Sequence, residues 1–236
     1  MLVNFDDIYN ALYQKMKFLS VMFFCVMVAA CTSKTVEKEK YSGFLSDYSQ
    51  LEKVTVSSGE ASIPVLGWKS PTLTEHNYSK IMIDPIVLYP APQPGEQISS
   101  EVLTSINAYL NNAVREEVGK KYEIVDKPGK DVIHLRAAIT GVTATPEDLA
   151  AYEYIPVTFV LAEASTAAGK RDEMVQLFSE AEFSDSLSGE RLAAGVRKGF
   201  GKPLESQKDQ VELEHVRPLL DDLAQTVVHF LDATLK

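Results

Sequence analysis

The chain has 236 residues, of which 45% are hydrophobic and 24% charged, which is the composition of an ordinary globular protein. Its formal net charge is −10. Contacts with phosphates need a basic face, so this charge argues against a nucleic-acid partner. It also disfavours a domain that is held on anionic lipid by electrostatics alone.

Two cysteines occur, Cys25 and Cys31, and both lie near the start of the chain. A domain that begins after Cys31 has no cysteine pair from which to form a disulfide. Its stability has to come from packing, which suffices because a core of this size does not need covalent cross-links.

An apolar segment precedes Cys31. The stretch 18–30 carries no charge, and it has the length of a signal-peptide hydrophobic region, too short to span a bilayer as a single helix. Lys17 supplies a positive charge in front of it, and Val28-Ala29-Ala30-Cys31 has the form of a lipobox. The sequence therefore predicts a signal peptide over residues 1–30, cleavage between Ala30 and Cys31, and lipidation of the Cys31 thiol. The alternative is an ordinary small-residue cleavage site with an incidental cysteine.

The residues around the signal segment refine this prediction. Asp6 and Asp7 do not suit a signal-peptide start, whereas a start at Met16 gives Met-Lys-Phe and then the apolar run, so we expect residues 1–15 not to be translated. A diacylglyceryl group with chains such as palmitate is a stable membrane anchor. Thr32 follows the cysteine where aspartate would retain the protein at the inner membrane, by resemblance to the sorting rule of Gram-negative bacteria. We expect an outer-membrane anchor with the domain in the periplasm.

Residues 31–40 are polar and charged without periodicity, and they are typical of a flexible tether. The region 41–75 has a few apolar anchors, such as Phe44 and Leu45, among Gly, Ser and Pro. We interpret it as an N-terminal arm with little regular structure and a short helical turn near Ser46. Residues 41–236 then form a single domain.

Regular elements are predicted from residue 81 onward. The β-branched run 81–88, interrupted by Asp84-Pro85, predicts a buried strand with a bulge or kink. Ser99 is a suitable N-cap for an amphipathic helix that ends at Gly119.

Shorter patterns follow this helix. Alternation predicts a brief strand at 122–124 and a half-buried antiparallel strand at 133–139. Residues 143–156 contain two prolines and are interpreted as a loop. The alanine-rich stretch 157–168 is compatible with a helix or a strand, and its alanine content favours a helix.

The last third of the chain predicts a hairpin and a helix. Residues 175–183 and 192–196 alternate on either side of a turn at 185–190. An apolar stripe over 216–231 predicts a helix that tolerates Pro218 only in its first turn. The order of elements predicts an α+β fold, a two-layer sandwich with a mainly antiparallel sheet and two long amphipathic helices on one face.

No pattern of catalytic or ligand residues is complete. The glycine-rich stretch 195–202 lacks the Walker spacing, since Val196 stands where glycine is needed and Pro203 where serine or threonine is needed, and a mobile loop is expected there. The histidines lack metal-site spacing, and His134 falls on the outward face of its strand, where we expect it to be solvated. The acidic groups lack the spacing of a calcium loop: Glu180, Glu182, Asp185, Glu212, Glu214, Asp221 and Asp222. We expect no catalytic residue, metal or cofactor.

Several aromatic side chains are candidates for a binding surface. Tyr48, Trp68 and Tyr78 are expected to be partly exposed, and exposed aromatic side chains often anchor interfaces. The alternative is that they attach the arm and loops to the core.

Three segments carry a resemblance to a known family: Ser42-Gly-Phe-Leu-Ser-Asp-Tyr-Ser-Gln-Leu51, Tyr78 with Ile81-Met-Ile-Asp-Pro-Ile86, and Ser188-Gly-Glu-Arg-Leu-Ala-Ala194. With the lipobox, they make the chain resemble a family of uncharacterised bacterial lipoproteins, domain of unknown function 3313. The resemblance runs from about residue 41 to the end. It implies a lipid-anchored envelope protein, and it carries no catalytic residues to transfer.

The sequence favours a non-enzymatic binding module in the periplasm, held by its anchor and facing an envelope protein or a cell-wall partner. The alternatives are an envelope hydrolase with an acidic site and a passive structural protein. Two carboxylates converging in a pocket would favour the hydrolase, and an aromatic patch without a polar pocket would favour binding.

Overall fold

The computed structural model of the protein describes residues 41–58, 61–75, 77–146, 173–206 and 208–235, all of which lie in one compact unit, Val36–Lys236. The predicted signal segment, Cys31, the tether and the predicted helix at 157–168 lie outside the described residues.

Eight strands of the described residues form one sheet in the order β1-β2-β8-β7-β6-β3-β5, and β4 pairs with β6 as well. In the part of the sheet with the order β1-β2-β8-β7-β6, each strand is antiparallel to its neighbour. Strands β3 and β4 pair with β6 in parallel, and β3 also pairs with β5 in parallel. The sheet is therefore mixed. The prediction of a mainly antiparallel sheet did not include the parallel pairing of β3, β4 and β5, because alternation in one strand does not reveal the direction of its neighbours. The strands are β1 Glu52–Ser58, β2 Ala61–Lys69, β3 Lys80–Ile83, β4 Val87–Leu88, β5 Glu123–Ile124, β6 Val132–Pro146, β7 Glu173–Asp185 and β8 Arg191–Leu204.

Two long helices accompany the sheet. Helix α1, Ser100–Gly119, begins where the Ser99 side chain accepts a hydrogen bond from the Val102 amide, as predicted. Helix α2, Leu213–Asp232, begins with a reciprocal pair in which the Glu212 amide donates to His215 Nδ1 and the Glu212 side chain accepts from the His215 amide. Because α2 starts three residues earlier than predicted, Pro218 lies in its second turn, so the expectation for this proline is wrong.

The main core joins both helices to the strands. Side chains from α1, α2 and strands β3, β6, β7 and β8 form one buried apolar cluster. The helices also pack against each other, and α2 lies against β8. The α+β class is confirmed by these elements, and the two-layer arrangement stays a prediction.

The N-terminal arm is more regular than expected. β1 and β2 form an antiparallel hairpin inside it, in which Val54 pairs with Val65 and Val56 with Ile63. A period-two pattern is present in both strands, but Pro64 is an unusual residue for a paired strand and obscured it. A short 3-10 helix, Pro71–Glu75, follows.

Two predicted loops are strands. β6 continues to Pro146, through the first part of the loop predicted at 143–156, and the rest of that loop lies outside the described residues. The expected mobile loop at 195–202 belongs to β8. A Cβ atom on Gly199 would collide with the Leu219 side chain, and one on Gly201 with the His215 carbonyl, so these glycines let α2 approach the sheet closely.

Candidate functional site

Strands β7 and β8 have two chemically different faces. Side chains alternate along a strand, so Ala181 and Phe183 point to the side of the helices while Glu180 and Glu182 point to the opposite side. Both glutamates are buried, with 1% and 6% of their surface exposed. Buried carboxylates need hydrogen-bond donors, so their surroundings decide whether they form an open acidic site.

Residues 41–51, which we call the covering segment, supply these donors. The Tyr48 hydroxyl donates to Glu180 Oε2 at 2.5 Å and accepts hydrogen bonds from the amides of Gly43 and Leu45, each at 3.0 Å. Gly43 has φ +85°, which favours glycine, and the Tyr41 ring stacks on Tyr48 with centroids 4.2 Å apart. Burial, and then the hydrogen bond to Glu180, raise the pKa of Tyr48 to about 12, so its hydroxyl remains a donor at neutral pH.

The second glutamate is bound in the same way. The Ser46 amide and hydroxyl donate to Glu182 Oε2 at 3.1 and 2.5 Å, and Arg136 Nη1 lies 3.4 Å from Glu182 Oε1. Arg191 donates to the Asp47 carbonyl and to Gln50 Oε1, and it lies over the Trp68 ring at 4.4 Å. Both carboxylates are therefore engaged in attaching the covering segment, and they do not converge in an open pocket.

The helix side of the same strands holds a large cavity. We call it the hairpin groove: it has a volume of about 740 Å³ and lies between the β1–β2 hairpin, strands β7 and β8, and the second half of α2. Its floor has small residues because Ala181 pairs with Gly195, and Gly195 with Gly67. The walls are largely hydrocarbon, and include Val54, Val56, Val65, Phe183, Leu223, Val227 and Phe230.

Arg197 is the buried polar side chain among the residues that line the groove, with 8% of its surface exposed. Its Nη1 donates to Thr226 Oγ1 at 2.9 Å, and its Nη2 pairs with the Asp222 carboxylate. Its Nε is buried without a hydrogen-bond partner. The groove therefore combines an apolar interior with one unused buried donor.

The predicted interface residues have different surroundings. Tyr48 is half-buried in the covering segment, and Trp68 lies at the groove under Arg191. Tyr78 is 1% exposed and donates to Asp185 Oδ2 at 3.0 Å, so the expectation that it is partly exposed is wrong. Burial and this hydrogen bond raise the pKa of Tyr78. The alternative, in which the aromatic residues attach loops to the core, describes Tyr48 and Tyr78 better.

His134 is not the solvated residue that was expected. Its side chain is 18% exposed, and its Nε2 lies 3.0 Å from Asp84 Oδ1. In the part of the chain that the structure describes, no three His, Cys, Asp or Glu side chains are grouped so as to hold a metal ion. Neither described helix is long and apolar enough to cross a membrane.

Sequence reasoning missed the hairpin groove. Gly67 is more than a hundred positions from Ala181 and Gly195 in the chain, and only the cross-strand pairing places Gly67 beside Gly195. A usable signal was present in the alternation of Val54 and Val56, which indicates a strand with one apolar face.

A family model described as a protein of unknown function (DUF3313) matches residues 40–227. The uncharacterized lipoprotein YdcL of Escherichia coli K12 is 34% identical over 215 residues, which are 90% of this chain and 96% of that protein. The lipoprotein of the same name in Escherichia coli O157:H7 matches equally well.

Solved structures give a weaker likeness. The PelC dodecamer of Paraburkholderia phytofirmans is 14% identical with a TM-score of 0.32, over 73% of this chain and 97% of that one. Protein XCC0632 of Xanthomonas campestris is 13% identical with a TM-score of 0.40, over 70% and 90%.

Proposed function

The chain belongs to the DUF3313 family of proteins of unknown function, and from this premise we propose that it is a lipid-anchored envelope lipoprotein whose domain is a binding module without catalytic activity. Cys31 carries the anchor, in the outer membrane of a Gram-negative bacterium, and the domain faces the periplasm, where it meets an envelope protein, a cell-wall component or a lipid. The hairpin groove is the binding site. The observation that carries this proposal is the groove itself, because a large apolar cavity with few polar groups is the usual form of a ligand site.

The acidic residues do not support the hydrolase alternative. A pair of catalytic carboxylates has to face the substrate, whereas the buried pair Glu180 and Glu182 accepts hydrogen bonds from Tyr48 and Ser46. In the folded domain the covering segment therefore separates both carboxylates from any substrate.

The anchor is tested by metabolic labelling with radioactive palmitate, followed by separation of inner and outer membranes. We expect label on the wild type in the outer-membrane fraction, and no label on the Cys31→Ala variant. Label that persists on Cys31→Ala would contradict the assignment of the anchor, and label confined to the inner membrane would contradict the location.

The binding function is tested by site-specific photo-crosslinking in living cells. Val54 is 40% exposed in the groove, and Val87 is 41% exposed on β4 outside it, so the two valines are a matched pair. Each is replaced by p-benzoylphenylalanine, and the cells are irradiated. We expect crosslinked species from position 54 that are absent from position 87. Identical patterns from both positions would mean that the groove is not a binding site.

A further inference from the structure

We propose that the hairpin groove binds one acyl chain of a lipid molecule that is separate from the protein's own anchor. This inference rests on the proposed binding function and specifies its ligand.

The size of the groove fits a single small ligand. Its volume of about 740 Å³ lies within the range of roughly 300–1,000 Å³ that is usual for such sites. The β1–β2 hairpin lines the groove on one side and α2 on the other, so the groove lies between two elongated elements. A flexible chain can follow the space between them.

The lining distinguishes an acyl chain from a peptide. An extended peptide brings one N–H and one C=O group for each residue, and burying them without partners is unfavourable. Thr226 donates to the Asp222 carbonyl at 2.9 Å and accepts from Arg197, and the Arg197 Nη atoms are engaged with Thr226 and Asp222. Arg197, Thr226 and Asp222 therefore hydrogen-bond mainly to one another and offer few partners to a peptide backbone. The Val, Leu and Phe side chains of the walls are then available to contact the hydrocarbon of a ligand.

The unused donor indicates a ligand with an oxygen at one end. Arg197 Nε is buried without a partner, although buried polar groups in proteins are nearly always hydrogen-bonded. Arg197 lines the groove, and a rotation of its side chain would bring Nε to a carbonyl or carboxylate oxygen at the head of an acyl chain. A pure hydrocarbon would leave this donor unpaired, so a fatty acid or a lipid ester fits better.

The proposed membrane anchor places the groove close to lipid acyl chains. The relative that shares 34% identity is a lipoprotein. Nine residues lie between Cys31 and Tyr41, so the distance between these two residues is at most roughly 35 Å. A domain on such a tether stays next to the membrane that anchors it. Lipid acyl chains are then the most abundant apolar ligands within its reach.

The test uses the full chain in living cells that are fed palmitic acid with a diazirine and an alkyne. After irradiation the protein is purified and digested, and the lipid adducts are mapped by mass spectrometry. We expect adducts on the peptides that contain Val54 and Val227, with no Cys31 peptide attached to them.

Two variants locate the ligand in the groove. Ala181→Leu fills the floor, and we expect about a tenfold decrease of groove adducts. Ala113→Leu makes the same change on α1, away from the groove, and should leave them unchanged. Because a floor substitution can disturb folding, Val54→Ser and Val87→Ser provide a second pair at exposed positions, and only the first should reduce the adducts.

The results that would overturn the acyl ligand differ from the result that would overturn the binding function. Groove adducts that are equal in Ala181→Leu, Val54→Ser and the wild type would overturn the inference, as would adducts that join the groove to the Cys31 peptide, since the occupant would then be the anchor. A protein captured from position 54 without lipid adducts in the groove would preserve the binding function and overturn the acyl ligand. If neither a protein nor a lipid is captured, the binding function fails as well.

Discussion

The two faces of strands β7 and β8 differ in how completely they are covered. One face carries Glu180 and Glu182, and the covering segment satisfies both carboxylates and buries them. The other face carries Ala181 and Gly195, and between α2 and the β1–β2 hairpin it is left as an open apolar cavity. The face that carries the two carboxylates, together with the buried Ala194 and Val196 of β8, is thus closed, and the opposite face is partly open.

The partly open apolar face is the unusual one. Apolar surface is normally buried and polar surface exposed, so an apolar face that stays open indicates a binding surface. The closed polar face is explained as attachment, because each of its carboxylates has a donor from residues 41–51. We therefore assign the two faces different roles, attachment of the N-terminal chain on one and ligand binding on the other.

The largest effect is expected where α2 forms the wall of the groove. Gly201→Ala places a methyl group against the His215 carbonyl, which belongs to the backbone and cannot rotate away. We expect the free energy of unfolding to fall by about 3 kcal/mol, as measured by urea denaturation. An unchanged midpoint would show that α2 does not lie close to β8, and the groove would then lack its wall.

A smaller loss is expected on the closed face. Tyr48→Phe removes the donor to Glu180 and the acceptor for two amides, and we expect a loss of about 2 kcal/mol in the same urea measurement. Tyr109→Phe is the matched control, since Tyr109 also donates to a carboxylate, Asp221 at 2.7 Å, but near the surface. Its loss should stay below about 0.5 kcal/mol. Equal losses would mean that the covering segment is only a surface feature.

The same hydroxyl predicts a dependence on alkaline pH. The pKa of Tyr48 is raised from 10.0 to about 12 by burial and by the hydrogen bond to Glu180. A tyrosine whose pKa is higher in the folded state contributes stability fully below pH 10, and this contribution is lost as the pH rises to about 12. Urea midpoints measured across this range should fall less steeply in Tyr48→Phe than in the wild type. An identical slope would show that Tyr48 ionises freely in the folded protein.

The smallest effect is expected on the groove floor. A Cβ atom on Gly195 meets only the Leu66 carbonyl at 3.6 Å, an ordinary contact, because open space lies above it. Gly195→Ala should therefore change the free energy of unfolding by less than about 0.5 kcal/mol. A loss as large as that of Gly201→Ala would mean that the groove is filled by the protein itself.

Local signals predicted much of this fold, and non-local pairing determined the rest. The Ser99 cap and the apolar spacing gave α1, and alternation around the turn at 185–190 gave β7 and β8. Family membership was also predicted correctly, from the segment 42–51, whose Ser42, Gly43, Asp47 and Tyr48 all have specific hydrogen-bonding or backbone roles in the covering segment.

The errors have physical reasons. The glycines of β8 resemble a loop in sequence, but Gly199 and Gly201 are required by the approach of α2, which lies in a distant part of the chain. Pro64 concealed the β1–β2 hairpin, and with it one wall of the groove. The burial of Tyr78 depends on Asp185, 107 residues away, and no local pattern reports such a contact.

The central claim, that the groove is occupied in the cell, is tested most directly by cysteine accessibility. The chain has no cysteine after Cys31, so Val54→Cys and Val87→Cys each add a single reporter to the domain. The rate of reaction with a maleimide is measured for both variants in cells whose outer membrane has been permeabilised. It is measured again after purification in a detergent that removes bound lipid. We predict that Val54→Cys reacts more slowly in cells than after purification, while Val87→Cys reacts equally in both. Equal rates for Val54→Cys under the two conditions would contradict the account.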